Sequence, residues 1–262
     1  MSTPLGPKYA AETAPPDRTF YFPIDLGAPS PKPGMTGVFF RSGYRPTLEL
    51  DIILYLHGHG IKGTIRNLWA VGYPYPFQFR HYLNDTTVSA VLVAPTLGPQ
   101  SEAPAFNHSG GGDEYIDKVL SQLQGDDDAL KEIWGEYSGP PEVRQIVIAC
   151  HSGGGAPMRR LLLDGFDTYK SKVVQCWGFD CTYNAGVGKD YFDWASTHPN
   201  GKMYVYYQPG TGTEKEALIL KSKAQAAGLK NVFVTSTSVG HNNVPVTFFR
   251  ERVRGLDTFT KL

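Results

Sequence analysis

The sequence predicts an α/β protein: a doubly wound, mostly parallel central sheet with helices on both faces and no large cap domain. Three observations carry that expectation. Short apolar, β-branched runs alternate with helix-patterned segments along nearly the whole chain, as parallel strands buried on both faces read. The run Ile146-Val147-Ile148-Ala149 passes through Cys150 and His151 into Ser152-Gly153-Gly154-Gly155-Ala156, a strand-to-helix turn with a serine at its apex. The 262 residues suffice for one large core and the alternation never resets, so a single domain over 19–262 is expected behind a Pro-rich arm at residues 1–18.

Taken in order, Arg18 to Leu26 and Gly37 to Ser42 read as early, partly antiparallel edge strands. Glu49 to His57 is the first central strand and Val88 to Ala94 the next. Asp113 to Leu123 and Asp127 to Tyr137 read as polar helices leading to the strand Val143 to Cys150. A helix over Ala156 to Leu163 follows the serine, and the strand Lys172 to Asp180 follows that helix. The remaining alternation is Lys202 to Tyr207, the helix Glu214 to Ala227, the strand Asn231 to Thr235 and a closing helix, Val244 to Val253. Thr213-Glu214-Lys215-Glu216 fits a capping box, with Thr213 as N-cap and Glu216 reaching back. Two aromatic stretches, Tyr73 to Phe79 and Tyr183 to His198 with Tyr191, Phe192 and Trp194, pack as satellites or line a pocket. Neither is long enough for a helical cap, so an open or lightly covered cleft is expected.

Composition narrows the function classes. With 25 basic and 25 acidic residues the net charge is zero, so no basic stripe points to nucleic acid or an anionic membrane. A small neutral substrate is the natural partner. Three cysteines, Cys150, Cys176 and Cys181, have no metal-binding spacing and suggest no disulfide framework. Cys150 and Cys181 are expected to line or underlie the site as small apolar residues. No apolar run is long enough to span a bilayer, and Met1 to Pro7 lacks a signal-peptide core, so a cytoplasmic protein is expected. The oligomeric state stays open.

The chemistry is concentrated around Ser152. A sharp turn forces strained backbone and crowds its neighbours, so the residues two before and two after the serine must be small; here they are Cys150 and Gly154. His108-Ser109-Gly110-Gly111-Gly112 repeats the same five letters, but it follows the proline-broken loop Glu102 to Asn107, which cannot aim a hydroxyl from the end of a sheet. Ser109 is therefore read as surface or pocket-rim loop. A serine nucleophile needs a base, an acid to orient the base, and donors for an oxyanion. His241 lies on the loop Gly240 to Asn243 beyond the last strand, where open α/β sheets place their chemistry. His151 is held in the turn itself, with its side chain expected to point away from the serine. Asp180 ends an apolar strand and has few structural reasons to be there, so it is favoured as the acid over Glu214; Asp190 and Asp193 are lesser alternatives. His57 and His59 alternate along Leu56-His57-Gly58-His59-Gly60, but a turn with no third ligand nearby argues against zinc. No cofactor is implied.

These motifs resemble the α/β-hydrolase superfamily. Cys150-His151-Ser152-Gly153-Gly154 is similar to its nucleophile elbow, G-x-S-x-G, with cysteine in place of the first glycine. His57-Gly58-His59-Gly60 resembles the oxyanion loop of lipases and esterases. The resemblance implies a serine hydrolase acting on carboxylic esters, with Ser152, His241 and Asp180 catalytic and the N–H groups of Gly153 and His59 as the oxyanion hole. Lactone, thioester or amide hydrolysis and acyl transfer use the same parts. A non-catalytic ligand-binding protein on the same fold is the alternative from another class.

Overall fold

In the computed structural model, residues 3–4, 18–45, 48–60, 63–69, 79–124, 131, 133, 141–256 and 259 are described. The strands are β1 (Thr3–Pro4), β2 (Thr19–Phe22), β3 (Thr36–Phe40), β4 (Glu49–Leu56), β5 (Val91–Pro95), β6 (Glu142–His151), β7 (Val173–Phe179), β8 (Lys202–Tyr207) and β9 (Val232–Ser236). Among the described residues they form one sheet in the order β1-β2-β3-β5-β4-β6-β7-β8-β9. β1, β2 and β3 pair antiparallel down to β5, and every pair from β5 through β9 is parallel. The sheet is open, as expected from the alternation.

Strand periodicity builds two cores. Along β4, Leu50, Ile52, Leu54 and Leu56 face one cluster while Ile53 and Tyr55 face the other; along β6, Ile146, Ile148 and Cys150 alternate in the same way with Val147 and Ala149. The first face is covered by α3 (Gly111–Leu123), α4 (Gly155–Arg160), α5 (Val187–Thr197) and α6 (Glu214–Ala226), through Tyr115, Met158, Tyr191 and Leu220 among others. The second face is covered by α1 (Ile65–Trp69), α2 (Phe79–Asn84) and α7 (Val244–Arg254), with Phe79 and Phe249 in ring contact at 4.2 Å. Helices therefore lie on both faces. None among the described residues is long and apolar enough to cross a membrane.

Three local expectations change. The stretch after Asp180 contains α5, launched by Gly186 in the left-handed region at φ +84°, and its Tyr191 and Trp194 are buried in the core. Packing decided this, because a short helix that covers a sheet needs large apolar anchors whatever its loop-like composition. The capping box does not form: Thr213 makes no side-chain cap bond, and Glu216 accepts the Gly188 N–H instead, tying α6 to α5. The segment after the serine is not one helix but a 3₁₀ turn (Ser152–Gly154), α4, and a π-helical turn (Leu161–Gly165). The helix expected at Asp127 to Tyr137 and the aromatic stretch from Tyr73 to Gln78 lie almost wholly outside the described residues.

Candidate active site

β6 runs extended to His151, and Ser152 then turns into the left-handed region at φ +51°. A residue with a Cβ pays roughly 1 kcal/mol or more for that conformation, so the surroundings must impose it. They do so by close approach. A Cβ on Gly154 would fall 2.4 Å from Leu56 O, and one on Gly155 would fall 2.3 Å from Cys181 O. The bend is thus wedged between the ends of β4 and β7. Cys150 is fully buried beneath it, small enough for the position two before the serine. Ser101, Ser152 and Asp180 are the non-glycine residues with positive φ among those described, so two of the three are site candidates.

The turn after β4 lies directly against the serine. A Cβ on Gly58 would sit 2.7 Å from Ser152 Cβ, and one on Gly153 would strike the His59 ring. His57 is wholly buried and builds this turn rather than facing the cleft. Its Nε2 accepts the Leu97 N–H at 2.9 Å, which leaves Nδ1–H to donate to Gly58 O at 2.9 Å. Burial holds its pKa down at about 4, so the ring is neutral at pH 7.

Asp180 follows β7 and is fully buried at φ +48°. Its Oδ2 lies 2.6 Å from His241 Nδ1, and its Oδ1 accepts the Gln208 N–H at 3.2 Å and the Thr213 hydroxyl. Burial raises its pKa, but hydrogen bonds from His241, Thr213 and Gln208 outweigh that and leave it below the ordinary value. The carboxylate is therefore ionised and fixed. Glu214 does not reach the histidine; its carboxylate accepts the Gly210 N–H at 2.9 Å. Asp190 and Asp193 are committed to ion pairs with Arg159 and Lys189.

His241 sits in a 3₁₀ turn between β9 and α7. His151 packs beside it, with ring centroids 4.5 Å apart and planes tilted by 37°, and His151 Nε2 lies 3.1 Å from His241 O. A carbonyl can only accept, so His151 donates there and carries its proton on Nε2. Burial and the neighbouring His241 push its pKa down to about 3, which keeps it a neutral brace. Among the described residues no hydrogen bond joins His241 directly to Ser152. The Tyr183 hydroxyl meets both: it lies 3.4 Å from His241 Nδ1 and interacts with the Ser152 hydroxyl. Burial, reinforced by the charge of Asp180, pushes the phenol up to about 12. Ser152, Gly153, His59, Cys181 and Tyr183 line a cavity of about 450 Å³.

No family model and no curated protein sequence matches this chain. Solved structures do. A siderophore hydrolase from Aspergillus nidulans superposes with a TM-score of 0.56 at 12% identity, covering 98% of this chain and 97% of its own. An S-formylglutathione hydrolase from Agrobacterium tumefaciens gives 0.55 at 12% identity over 90% and 93% of the two chains. The corresponding enzyme from Staphylococcus aureus gives 0.54 at 14% over 84% and 88%. The chain has the α/β-hydrolase fold. In α/β-hydrolases a nucleophile stands at a strand-to-helix elbow, and an acid and then a histidine follow in chain order. Here Ser152 stands at the turn between β6 and α4, Asp180 directly after β7 and His241 between β9 and α7.

Three neighbours of the site escaped sequence reasoning. Thr213 had an adequate explanation as a helix cap, which hid its hydrogen bond to Asp180. Tyr183 was one aromatic among several in an apparent insertion. His151 carried a detectable signal, since a polar ring next to a strained serine must find a buried partner.

Proposed function

We propose that this protein is a serine hydrolase that cleaves carboxylic esters through an acyl-enzyme on Ser152. The carrying observation is the buried, triply hydrogen-bonded Asp180 held 2.6 Å from His241 Nδ1, on the same sheet rim as the strained serine. Asp180 places the His241 proton on Nδ1 and so leaves Nε2 as a base. His241 takes the Ser152 proton as the hydroxyl attacks the ester carbonyl; this hydrogen bond forms in the substrate complex, where apo contacts tighten. The tetrahedral oxyanion is held by the N–H groups of His59 and Gly153, whose turns are in direct contact. His241 then protonates the leaving alkoxide, and water repeats the sequence to release the acid. Solved neighbours that are named as hydrolases support this reading.

Incubation with a fluorophosphonate, followed by peptide mapping, tests the proposal. Modification of Ser152, lost in Ser152→Ala, is expected together with hydrolysis of p-nitrophenyl esters. Folded protein that neither reacts nor turns over these esters would instead be a binder on the same fold.

A further inference from the structure

The cavity at Ser152 has a neighbour. Gln100, Ala156 and Asn184 line it and also line a second chamber of about 450 Å³, so the two adjoin along a shared wall. Their walls differ in chemistry. Ala156, Cys181 and the Tyr183 ring give the serine chamber apolar surface, whereas the second is walled by Arg160 at the end of α4 and by Asn107 on the β5–α3 connection. Arg159 at that chamber pairs with Asp190, while Glu102 accepts the Gln100 N–H at 2.7 Å, folds over Gly98 and keeps its negative charge. Among the described residues Arg160 has no ion-pair partner and the side-chain amides of Gln100, Asn107 and Asn184 have no protein partner; all four side chains are exposed and open to a ligand. A planar guanidinium beside free amide donors matches a carboxylate, which it can grip with two parallel hydrogen bonds. The Glu102 carboxylate on the same wall opposes negative charge, so the chamber suits at most one carboxylate, presented on its Arg160 side.

We infer that the second chamber is a subsite for a carboxylate-bearing arm of the ester, held by Arg160 while the carbonyl lies at Ser152. This deepens the ester-hydrolase reading and rests on it. It also changes the expected substrate from a neutral ester to one with a compact reacting end and an acidic far end.

The test compares p-nitrophenyl butyrate with mono-p-nitrophenyl glutarate, and phenyl acetate with 4-acetoxybenzoate, so that the carboxylate is presented from the acyl and from the alcohol side. In at least one pair the wild type is expected to favour the carboxylated ester in kcat/KM. Arg160→Gln should lower that preference about tenfold, the scale of a lost charge-assisted hydrogen bond. Arg160→Lys should restore part of it, and added salt should erode it in the wild type. A preference unchanged within about twofold by Arg160→Gln in both pairs, or none in the wild type, overturns the subsite while neutral-ester turnover leaves the Ser152 reading standing. A wild type that cleaves none of the four esters overturns the hydrolase reading, and the subsite falls with it.

Discussion

The two His-Ser-Gly-Gly-Gly copies show how little a motif means without its backbone. Both lead into a helix, α3 after Ser109 and α4 after Ser152. Ser109 is exposed on a loop with its hydroxyl 3.5 Å from Asp167 Oδ2, and His108 beside it faces solvent near Glu114. The role of that region is structural: Asp113, next in the chain, accepts the N–H groups of Asp167, Thr168 and Tyr169 at 2.7 to 3.0 Å. Ser152 by contrast comes straight off a central strand into a left-handed turn, and its preceding histidine is buried against His241. A strand end supplies rigidity and direction, and a loop supplies neither.

Paired substitutions can break or sharpen that contrast. The largest difference is expected at the serines: Ser152→Ala should lower kcat on p-nitrophenyl esters by about 10⁴-fold or more, and Ser109→Ala by less than about twofold. Equal losses would end the distinction. Next come the acids. Asp180→Asn should cost about 10³- to 10⁴-fold in kcat, whereas Asp167→Asn, beside Ser109, and Glu214→Gln should each stay within about threefold. A collapse with Glu214→Gln would reassign the acid.

The glycines separate crowding from backbone strain. A Cβ on Gly154 meets backbone oxygens of Leu56 and His57 at 2.4 and 2.8 Å, while the nearest atoms to one on Gly110 are 3.9 Å away, leaving only the penalty of its φ of +74°. Urea unfolding should show Gly154→Ala destabilised by about 2–3 kcal/mol and Gly110→Ala by about 1 kcal/mol.

The histidines give the smallest effects. His151→Phe should lower kcat about tenfold with little change in KM, because the His241 turn loses its brace, and His151→Gln, which keeps a donor, should recover part of the loss. His108→Phe should do nothing measurable to rate. Stability against pH supplies a second readout. His57 and His151 have folded pKa values depressed to about 4 and about 3, below the unfolded value near 6.5. The unfolded chain therefore binds their protons first, and stability that is complete above pH 6.5 falls by up to about 1.4 kcal/mol per pH unit for each ring as pH drops towards 4. His151→Phe should flatten that slope by about one such contribution. An unchanged slope would mean that His151 is not buried as described.

Much of the central sheet was legible because its strands are continuous apolar runs whose alternate residues serve both cores; the expected bounds Lys202 to Tyr207 match β8 residue for residue. α5 was not legible. Its Tyr191 and Trp194 resemble loop aromatics until the sheet they cover is in place. The box at Thr213 misled for a related reason: capping is the nearest use of a threonine hydroxyl, but Asp180, 33 residues earlier in the chain, competes for it and wins.

Sequence alone determined the local geometry: where a strand hands over to a glycine-rich turn, that its serine is crowded by small neighbours, and that a histidine follows the last strand. These are short-range consequences of side-chain size and backbone freedom. Only the tertiary structure decided which carboxylate meets His241, what His151 and Thr213 hold, and that a second chamber walled by Arg160 adjoins the serine's. The physical reason is separation along the chain. Asp180 and His241 are 61 residues apart and meet because β7, β8 and β9 lie side by side in parallel register, which brings their carboxyl ends to one rim.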